Sequence, residues 1–262
     1  MTTTTTFTTA ATTPAASTAT TATATETTAK TATTALTSLT IDQTTDMILS
    51  ACDAITASKD YLTEVDSRIG DGDHGIGMSG GMEKAKAALE AGRPFEDINT
   101  IFKTTGMTML NSMGGASGVI FGSMFLSGVK GLPPIIELNG YALTVIFRNA
   151  LDAIKARGGA QVGDKTMVDA LEPAVVAMEA IVAMGETDFS NLILLLSSAE
   201  KAAIEGMENT KNYTAKFGRA KSLMERAIGY QDAGATSVAI IFSAMQRYVS
   251  ELFFSLSPQE TV

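Results

Sequence analysis

Apolar residues recur at three- and four-residue intervals from about residue 41 onwards, in segments separated by Gly, Pro or Asn. This spacing is the period of an amphipathic helix, and the apolar stripes lack the two-residue alternation of half-buried strands. The connections are mostly short, which favours antiparallel packing of successive helices. The predicted fold class is all-α, with eight helices near residues 43–64, 76–91, 95–112, 116–129, 139–157, 166–184, 188–209 and 234–256.

The first forty residues have a different composition, with 21 threonines and only two charged residues, Glu26 and Lys30. They show neither the apolar period of a core element nor the pattern of a signal peptide. Transit peptides are usually rich in arginine, and this segment has none. We therefore predict a Thr-rich disordered tail over residues 1–40, followed by one helical domain over 41–262.

Charge and composition narrow the class of protein. The chain has 19 basic and 28 acidic residues, a formal net charge of −9, and no basic run that could neutralise nucleic-acid phosphates. Its apolar runs are far shorter than the roughly 20 residues that span a bilayer. The one cysteine, Cys52, cannot form an internal disulfide. We expect no nucleic-acid partner, no membrane span and a reducing, cytoplasmic location.

The stretch RIGDGDHG, residues 68–75, has glycines in the GxGxxG spacing of a dinucleotide-binding turn. That turn must follow a β-strand, whereas a helix is predicted here, so the match is accidental. Asp66, Asp71 and Asp73 lie within eight residues, and carboxylates are hard ligands for Mg²⁺, Mn²⁺ or Ca²⁺. An EF-hand is excluded, because the twelfth position from Asp71 is Met82. A magnesium site and a polar turn that caps the next helix both remain open.

Two neighbouring features suggest an anion site. His74, the only histidine, follows the acidic pair at the start of a predicted helix, where a ligand-facing and a structural role are both open. The segment MGGASG, residues 113–118, leads directly into another helix. The backbone N–H groups near Ala116 and Ser117 would point out of that helix N-terminus, which attracts phosphate. A tight turn between closely packed helices is the alternative.

The segment GGAQVGDKT, residues 158–166, resembles a P-loop, but Asp164 directly precedes Lys165 and the preceding element is helical. It is therefore not a Walker A motif. Gly158, Lys165 and Thr166 could still line a nucleotide pocket, with Thr166 capping the next helix.

A fourth segment, GRAKSLMERAIGYQDAGATS at 218–237, has too many small and polar residues to be core alone. Its Arg219 could neutralise a phosphate through the planar guanidinium, or form a salt bridge with a surface acid.

The four segments occur in the order and spacing found in the L subunit of dihydroxyacetone kinase, and the chain resembles that DhaL family over about residues 41–256. The resemblance implies a barrel of eight antiparallel amphipathic helices with ADP or ATP and two Mg²⁺ ions at one end. It implies metal ligation by Asp66, Asp71 and Asp73, and catalytic roles for His74 and Arg219. The implied nucleotide contacts are His74, Gly75, Ile76, Gly77, Ala116, Ser117, Gly158, Met167, Arg219, Asp232, Ala233 and Gly234.

Three positions bear on how closely the chain follows the family. The family commonly has DPGA where this chain has DAGA at 232–235, which frees a backbone angle and predicts weaker binding. It has HQD where this chain has Tyr230-Gln231-Asp232, which bears on the substrate class. Related fatty-acid kinases carry Thr at the position of His74, so the histidine favours the dihydroxyacetone-kinase type.

The resemblance also implies partners. A separate K subunit would hold dihydroxyacetone or a related short ketose such as erythrulose, and this chain would be inactive alone. The phosphoryl donor, either ATP or a phosphotransferase-system protein, is left open. The alternative function is a non-catalytic module that senses ADP or ATP and docks on another protein. A helical scaffold without a ligand would leave the aspartates and glycine loops unexplained.

Overall fold

The structure is a computed structural model that describes residues 38–185 and 189–256, with only the backbone of 189–191. This part of the chain contains nine α-helices, two 3₁₀ helices and no strand, which confirms the all-α prediction. The α-helices are α1 Ile41–Ala57, α2 Lys59–Ser67, α3 His74–Gly92, α4 Ile98–Ser112, α5 Gly115–Gly128, α6 Gly140–Gly158, α7 Val168–Ala183, α8 Phe189–Asn209 and α9 Ala233–Leu256. The 3₁₀ helices are Thr210–Asn212 and Arg219–Ala227.

The predicted tail over 1–40 lies almost wholly outside the described residues and stays a prediction. Its last residues already contact the helical domain: Leu39 is fully buried and exchanges backbone hydrogen bonds with Leu138. Thr40 forms a capping box with Gln43 at the start of α1. The described chain therefore joins the domain slightly before the predicted boundary at 41.

The prediction of one continuous helix over residues 43–64 was wrong, because these residues belong to two helices. Ser58 separates α1 from α2, and its N–H is shared between the carbonyls of Ala54 and Ile55. No Gly or Pro marks the break, and the apolar period continues across it to Leu62 and Val65, which α2 buries. The break produces a short α2, which packs mainly on α3 and brings Asp66 to its last turn.

The helices other than α2 form a closed ring. Each helix from α3 to α8 packs on the next one in order, α1 packs on α3, and α9 packs back on α1. This arrangement of eight helices is what a barrel requires. The side chains that fill it include Phe102, Phe121, Phe125, Phe147 and Phe242. No described helix combines the length and apolar character needed to cross a bilayer.

The helix starts differ in how their free backbone N–H groups are satisfied. Side chains cap α4 and α6, where Asp97 accepts from Thr100 N–H and Asn139 accepts from Ala142 N–H. The residues that precede α3 and α5, Asp73 and Gly114, make no side-chain capping bond. The starts of α3 and α5 therefore keep backbone N–H groups available for another acceptor, apart from the His74 N–H of α3, which donates to Asp66 Oδ2.

Candidate functional site

Three carboxylates meet where α2 ends and α3 begins. Asp66 lies in the last turn of α2, Asp71 and Asp73 lie in the loop, and one oxygen from each lies within 4.8 Å of the others. The Gly70 N–H donates to the Asp66 carbonyl at 2.6 Å, and a Cβ at Gly70 would lie 2.3 Å from Asp66 Oδ1. Gly72 has φ +77°, a conformation that favours glycine. The glycines therefore allow the chain to fold around the carboxylates.

The electrostatics of this cluster favour a cation. Partial burial, followed by the negative charges of Asp71 and Asp66, raises the pKa of Asp73 above its ordinary value. Three carboxylate oxygens at this spacing suit a hard divalent ion such as Mg²⁺. The capping alternative applies only to Asp66, whose Oδ2 accepts from the His74 N–H at 3.3 Å. Asp73 makes no side-chain capping bond.

Arg219 reaches the same cluster from a distant part of the chain. Its Nε lies 2.7 Å from Asp71 Oδ2, and 70% of its side chain is exposed. The salt bridge considered from the sequence is therefore present, and its acidic partner belongs to the candidate metal site. An exposed guanidinium can exchange this carboxylate for a phosphate at little cost in desolvation.

The His74 imidazole is buried, with only 7% of the residue exposed. Its Nδ1 lies 3.2 Å from Ser117 Oγ and its Nε2 lies 2.8 Å from Ser237 Oγ. Burial lowers the pKa of His74, while the charge of Asp66 acts in the opposite direction. The ring therefore joins the first turns of α3, α5 and α9 and leaves little of its own surface for a ligand.

Four helix N-termini gather at this end of the ring. His74 joins the starts of α3, α5 and α9, and Met167, directly before α7, lies against Gly234 in the first turn of α9. Each helix N-terminus carries partial positive charge and free N–H donors. Their convergence beside the acidic cluster favours an anion that a metal ion also binds.

The predicted phosphate-binding residues differ in their surroundings. Gly75 is buried, and a Cβ there would lie 2.2 Å from the Lys59 carbonyl of α2, so this glycine serves helix packing. Ile76 is 58% exposed, and a Cβ at Gly77 would meet nothing within 4 Å. Open space also surrounds Gly114 and Gly115 at the start of α5, directly before the exposed Ala116.

The start of α9 presents the last group of predicted residues. Asp232 Oδ2 accepts from the Ala235 N–H at 2.7 Å and caps the helix. Burial, more than any other cause, raises the pKa of Asp232 to about 7. Ala233 is buried and Gly234 is partly exposed.

The loop from 159 to 167 corrects one prediction. Lys165 does not line an open pocket: it is buried, and its Nζ donates to the carbonyls of Thr210 and Tyr230. Thr166 accepts from the Val168 N–H at 3.2 Å, as expected for a residue at the start of α7. Gly158 is exposed at the end of α6, and none of the described hydrogen bonds joins it to the acidic cluster.

Several residues that organise the site were not identified from the sequence. Ser237 holds the His74 ring, Thr210 accepts from the Asp232 N–H at 2.9 Å, and Asp169 accepts from the backbone N–H groups of Gly163 and Thr166. Ser237 lies at the end of the fourth motif, three residues after Gly234, which was a usable signal. Thr210 has no comparable signal, because its role depends on contacts between distant segments.

The closed helical ring, with an acidic cluster beside converging helix N-termini, defines an all-α protein with a candidate site for a metal-bound phosphate compound. The DAK2 domain family matches residues 68–247. The chain is 38% identical over 198 residues to the ADP-binding subunit DhaL of the PEP-dependent dihydroxyacetone kinase of Escherichia coli (strain K12), covering 75% of this chain and 92% of that protein.

A second relative gives the same result. The chain is 38% identical over 192 residues to the ADP-binding subunit DhaL of PEP-dependent dihydroxyacetone kinase 1 of Listeria innocua, covering 73% of this chain and 88% of that protein. The chain therefore belongs to the DhaL family, the L subunits of dihydroxyacetone kinase, as its four motifs predicted.

Solved structures agree on the fold. The dihydroxyacetone kinase of C. freundii in its native form matches with a TM-score of 0.59 at 23% identity, covering 89% of this chain and 38% of that chain. The same kinase in complex with AMP-PNP and Mg²⁺ gives a TM-score of 0.59 at 22% identity, covering 88% of this chain and 38% of that chain. This chain thus spans well under half the length of that kinase.

Proposed function

We propose that this chain is the nucleotide-binding subunit of a dihydroxyacetone kinase. It would bind ADP or ATP through magnesium ions and transfer a phosphoryl group to dihydroxyacetone, or a related short ketose, held on a separate K-type subunit. The observation that carries the proposal is the meeting of three carboxylates within 4.8 Å of one another beside the starts of α3 and α5, where the preceding residues Asp73 and Gly114 make no side-chain capping bond. The names of its relatives, ADP-binding subunits of such kinases, support it.

Asp66, Asp71 and Asp73 would hold the metal, and we propose two Mg²⁺ ions. When bound, these ions would neutralise phosphate charge, which is the main need of a loose phosphoryl-transfer transition state. Arg219 would leave Asp71 and bind a phosphate, and it is the stronger candidate for a catalytic side chain. For His74, the buried ring favours a positioning role, with its backbone facing the acidic cluster.

The phosphates would lie at the helix starts, and the rest of the pocket would surround the base. The first turns of α3 and α5 supply His74 to Gly77 and the pair Ala116 and Ser117. The remaining proposed contacts are Gly158, Met167, Arg219, Asp232, Ala233 and Gly234. Such a pocket needs accurate placement of donors more than a reactive side chain, because electrostatic stabilisation dominates this chemistry.

Partners follow from the same proposal. No side-chain nucleophile is evident in the proposed pocket, so the nucleotide itself would carry the phosphoryl group between donor and acceptor. A phosphotransferase protein is the favoured donor, because both reported relatives are called PEP-dependent, and exchange with ATP is the other route. Three converging carboxylates favour catalysis over a purely sensing module, which has less need of a metal cluster. The cytoplasmic location stays a prediction.

Gly77→Ala tests the phosphate position. A Cβ at residue 77 meets no protein atom within 4 Å, so the protein alone does not need glycine there. We expect the free energy of unfolding of the variant to be up to about 1 kcal/mol higher than that of the wild type, because alanine is the better helix former. Mg-ADP affinity should nevertheless fall roughly tenfold or more, since the methyl group occupies space that a phosphate would fill. Calorimetric titration and urea unfolding measure the two effects.

Gly80→Ala is the matched control for this experiment. Gly80 lies one turn further along α3, and a Cβ there also meets nothing within 4 Å. The control should gain stability without losing affinity for Mg-ADP. Equal affinity for Mg-ADP in both variants and the wild type would contradict the placement of the phosphates at the start of α3.

A further inference from the structure

Lys165 occupies an unusual position between α6 and α7. It is 2% exposed and has φ +60°, a left-handed conformation that L-residues other than Asn and Asp seldom adopt. Glycine would take this conformation without strain. A lysine at this position implies that interactions of its side chain offset the backbone strain.

The Lys165 ammonium joins three segments that are far apart in the sequence. Its Nζ donates to the Thr210 carbonyl at 2.6 Å and to the Tyr230 carbonyl. Thr210 begins the 3₁₀ helix after α8, and Tyr230 lies two residues before the capping residue of α9. Thr210 Oγ1 in turn accepts from the Asp232 N–H at 2.9 Å. One side chain thus links the end of α8 to the residues that lead into α9.

Charge keeps this ammonium in place. Burial lowers the pKa of Lys165, and the carboxylates of Asp232 and Asp169 act in the opposite direction. Asp232 starts α9, and Asp169 lies in the first turn of α7 and accepts from the backbone of the loop that carries Lys165. The lysine charge therefore interacts with two acids at the starts of these helices, and its hydrogen bonds to carbonyls restrict its orientation.

We propose that Lys165 is a positioning residue for the nucleotide. It acts without touching the ligand, by holding Thr210 and Tyr230 so that Asp232, Ala233 and Gly234 face the pocket. The proposal rests on the proposed nucleotide-binding function. It assigns to the third motif a role different from that of a P-loop lysine, which binds phosphate directly.

Lys165→Met in the full-length protein removes the charge and both hydrogen bonds while keeping the length of the side chain. We expect the dissociation constant for Mg-ADP to rise roughly tenfold or more, because two carbonyls lose a charged donor. Binding of Mn²⁺ without nucleotide, followed by electron paramagnetic resonance, should stay unchanged. Lys165→Arg keeps the charge and should recover most of the affinity. Lys201→Met, at an exposed lysine of α8, is the control and should bind like the wild type.

A second variant keeps the proposal testable if Lys165→Met does not fold. Thr210→Val removes the hydroxyl that accepts from Asp232 and should weaken Mg-ADP binding severalfold. Both variants weaken the contacts that hold the residues preceding α9, so the double variant should lose less affinity than the product of the two single effects. Wild-type affinity for Mg-ADP in either single variant, or purely multiplicative effects in the double variant, would overturn the proposal.

Amide hydrogen exchange separates this proposal from the proposed function. If the wild type binds no nucleotide, the function proposal fails, but positioning can still be measured. In Lys165→Met, the backbone amides of residues 231–236 should then exchange faster than in the wild type, and those of residues 68–75 should exchange at the wild-type rate. Unchanged exchange over 231–236 would overturn the positioning role regardless of nucleotide binding.

Discussion

Asp71→Asn is expected to lower the affinity for Mg-ADP by about a hundredfold or more and to abolish phosphoryl transfer in the presence of a K-type partner. The substitution keeps the shape of the side chain but removes one of three carboxylate charges that lie within 4.8 Å of one another. A neutral amide is a much weaker ligand for Mg²⁺, and losing partners of a metal site commonly costs tenfold to a hundredfold. Calorimetry with Mg-ADP and a coupled assay for phosphorylated ketose measure the two losses.

Two control variants separate metal binding from other roles of Asp71. Arg219→Met breaks the 2.7 Å ion pair with Asp71 but removes no oxygen ligand, so Mn²⁺ binding should survive while nucleotide affinity falls. Asp60→Asn changes an exposed acid in the first turn of α2, the helix that carries Asp66, and should leave Mn²⁺ binding and nucleotide affinity unchanged. Binding of a K-type partner should persist in Asp71→Asn if catalysis is the main role. Unchanged Mg-ADP affinity in that variant would contradict the metal assignment.

Gly75→Ala should destabilise the protein by about 2 to 4 kcal/mol, a large effect for a single methyl group. A Cβ at Gly75 would lie 2.2 Å from the Lys59 carbonyl, 2.3 Å from Thr63 Oγ1 and 2.5 Å from Thr63 N, and two of these atoms are backbone. The helices α2 and α3 must then separate, which moves Asp66 away from Asp73. Urea unfolding measures the loss, and Mg-ADP affinity should fall with it.

The contrast with Gly80 on the same helix makes this prediction specific. Gly80→Ala places its methyl group in open space and should raise stability by up to about 1 kcal/mol. The two variants add the same methyl group to α3, so intrinsic helix propensity cannot explain opposite signs. Equal stability of the two would contradict the close contact between α2 and α3.

Periodicity in the sequence predicts most of the helices because each buries one stripe of side chains in the ring. It fails at Ser58, where the chain bends without Gly or Pro and the apolar stripe continues from Ile55 to Leu62. Such a break depends on which helices α1 and α2 pack against, and that information is not local. The closure of the ring by α9 on α1 is equally a matter of tertiary packing.

The acidic cluster could be anticipated from the sequence because its three members lie within eight residues. The contact of the His74 ring with Ser117 and Ser237 could not be anticipated, since Ser237 is 163 residues away and only the tertiary packing of the helices brings them together. Lys165 shows how a motif can mislead: its P-loop-like surroundings suggested a ligand-facing amine, but its Nζ donates to buried carbonyls. Residue type and spacing predict chemistry, whereas side-chain direction depends on the fold.

Nucleotide content is the most direct test of the central claim that this site holds a nucleotide through metal. The purified full-length protein is denatured, and any released nucleotide is identified by mass spectrometry before and after exhaustive magnesium chelation. The account predicts ADP or ATP before chelation and its loss with the metal. No nucleotide at either stage, together with no binding in titrations with Mg-ADP and Mg-ATP, would contradict the account.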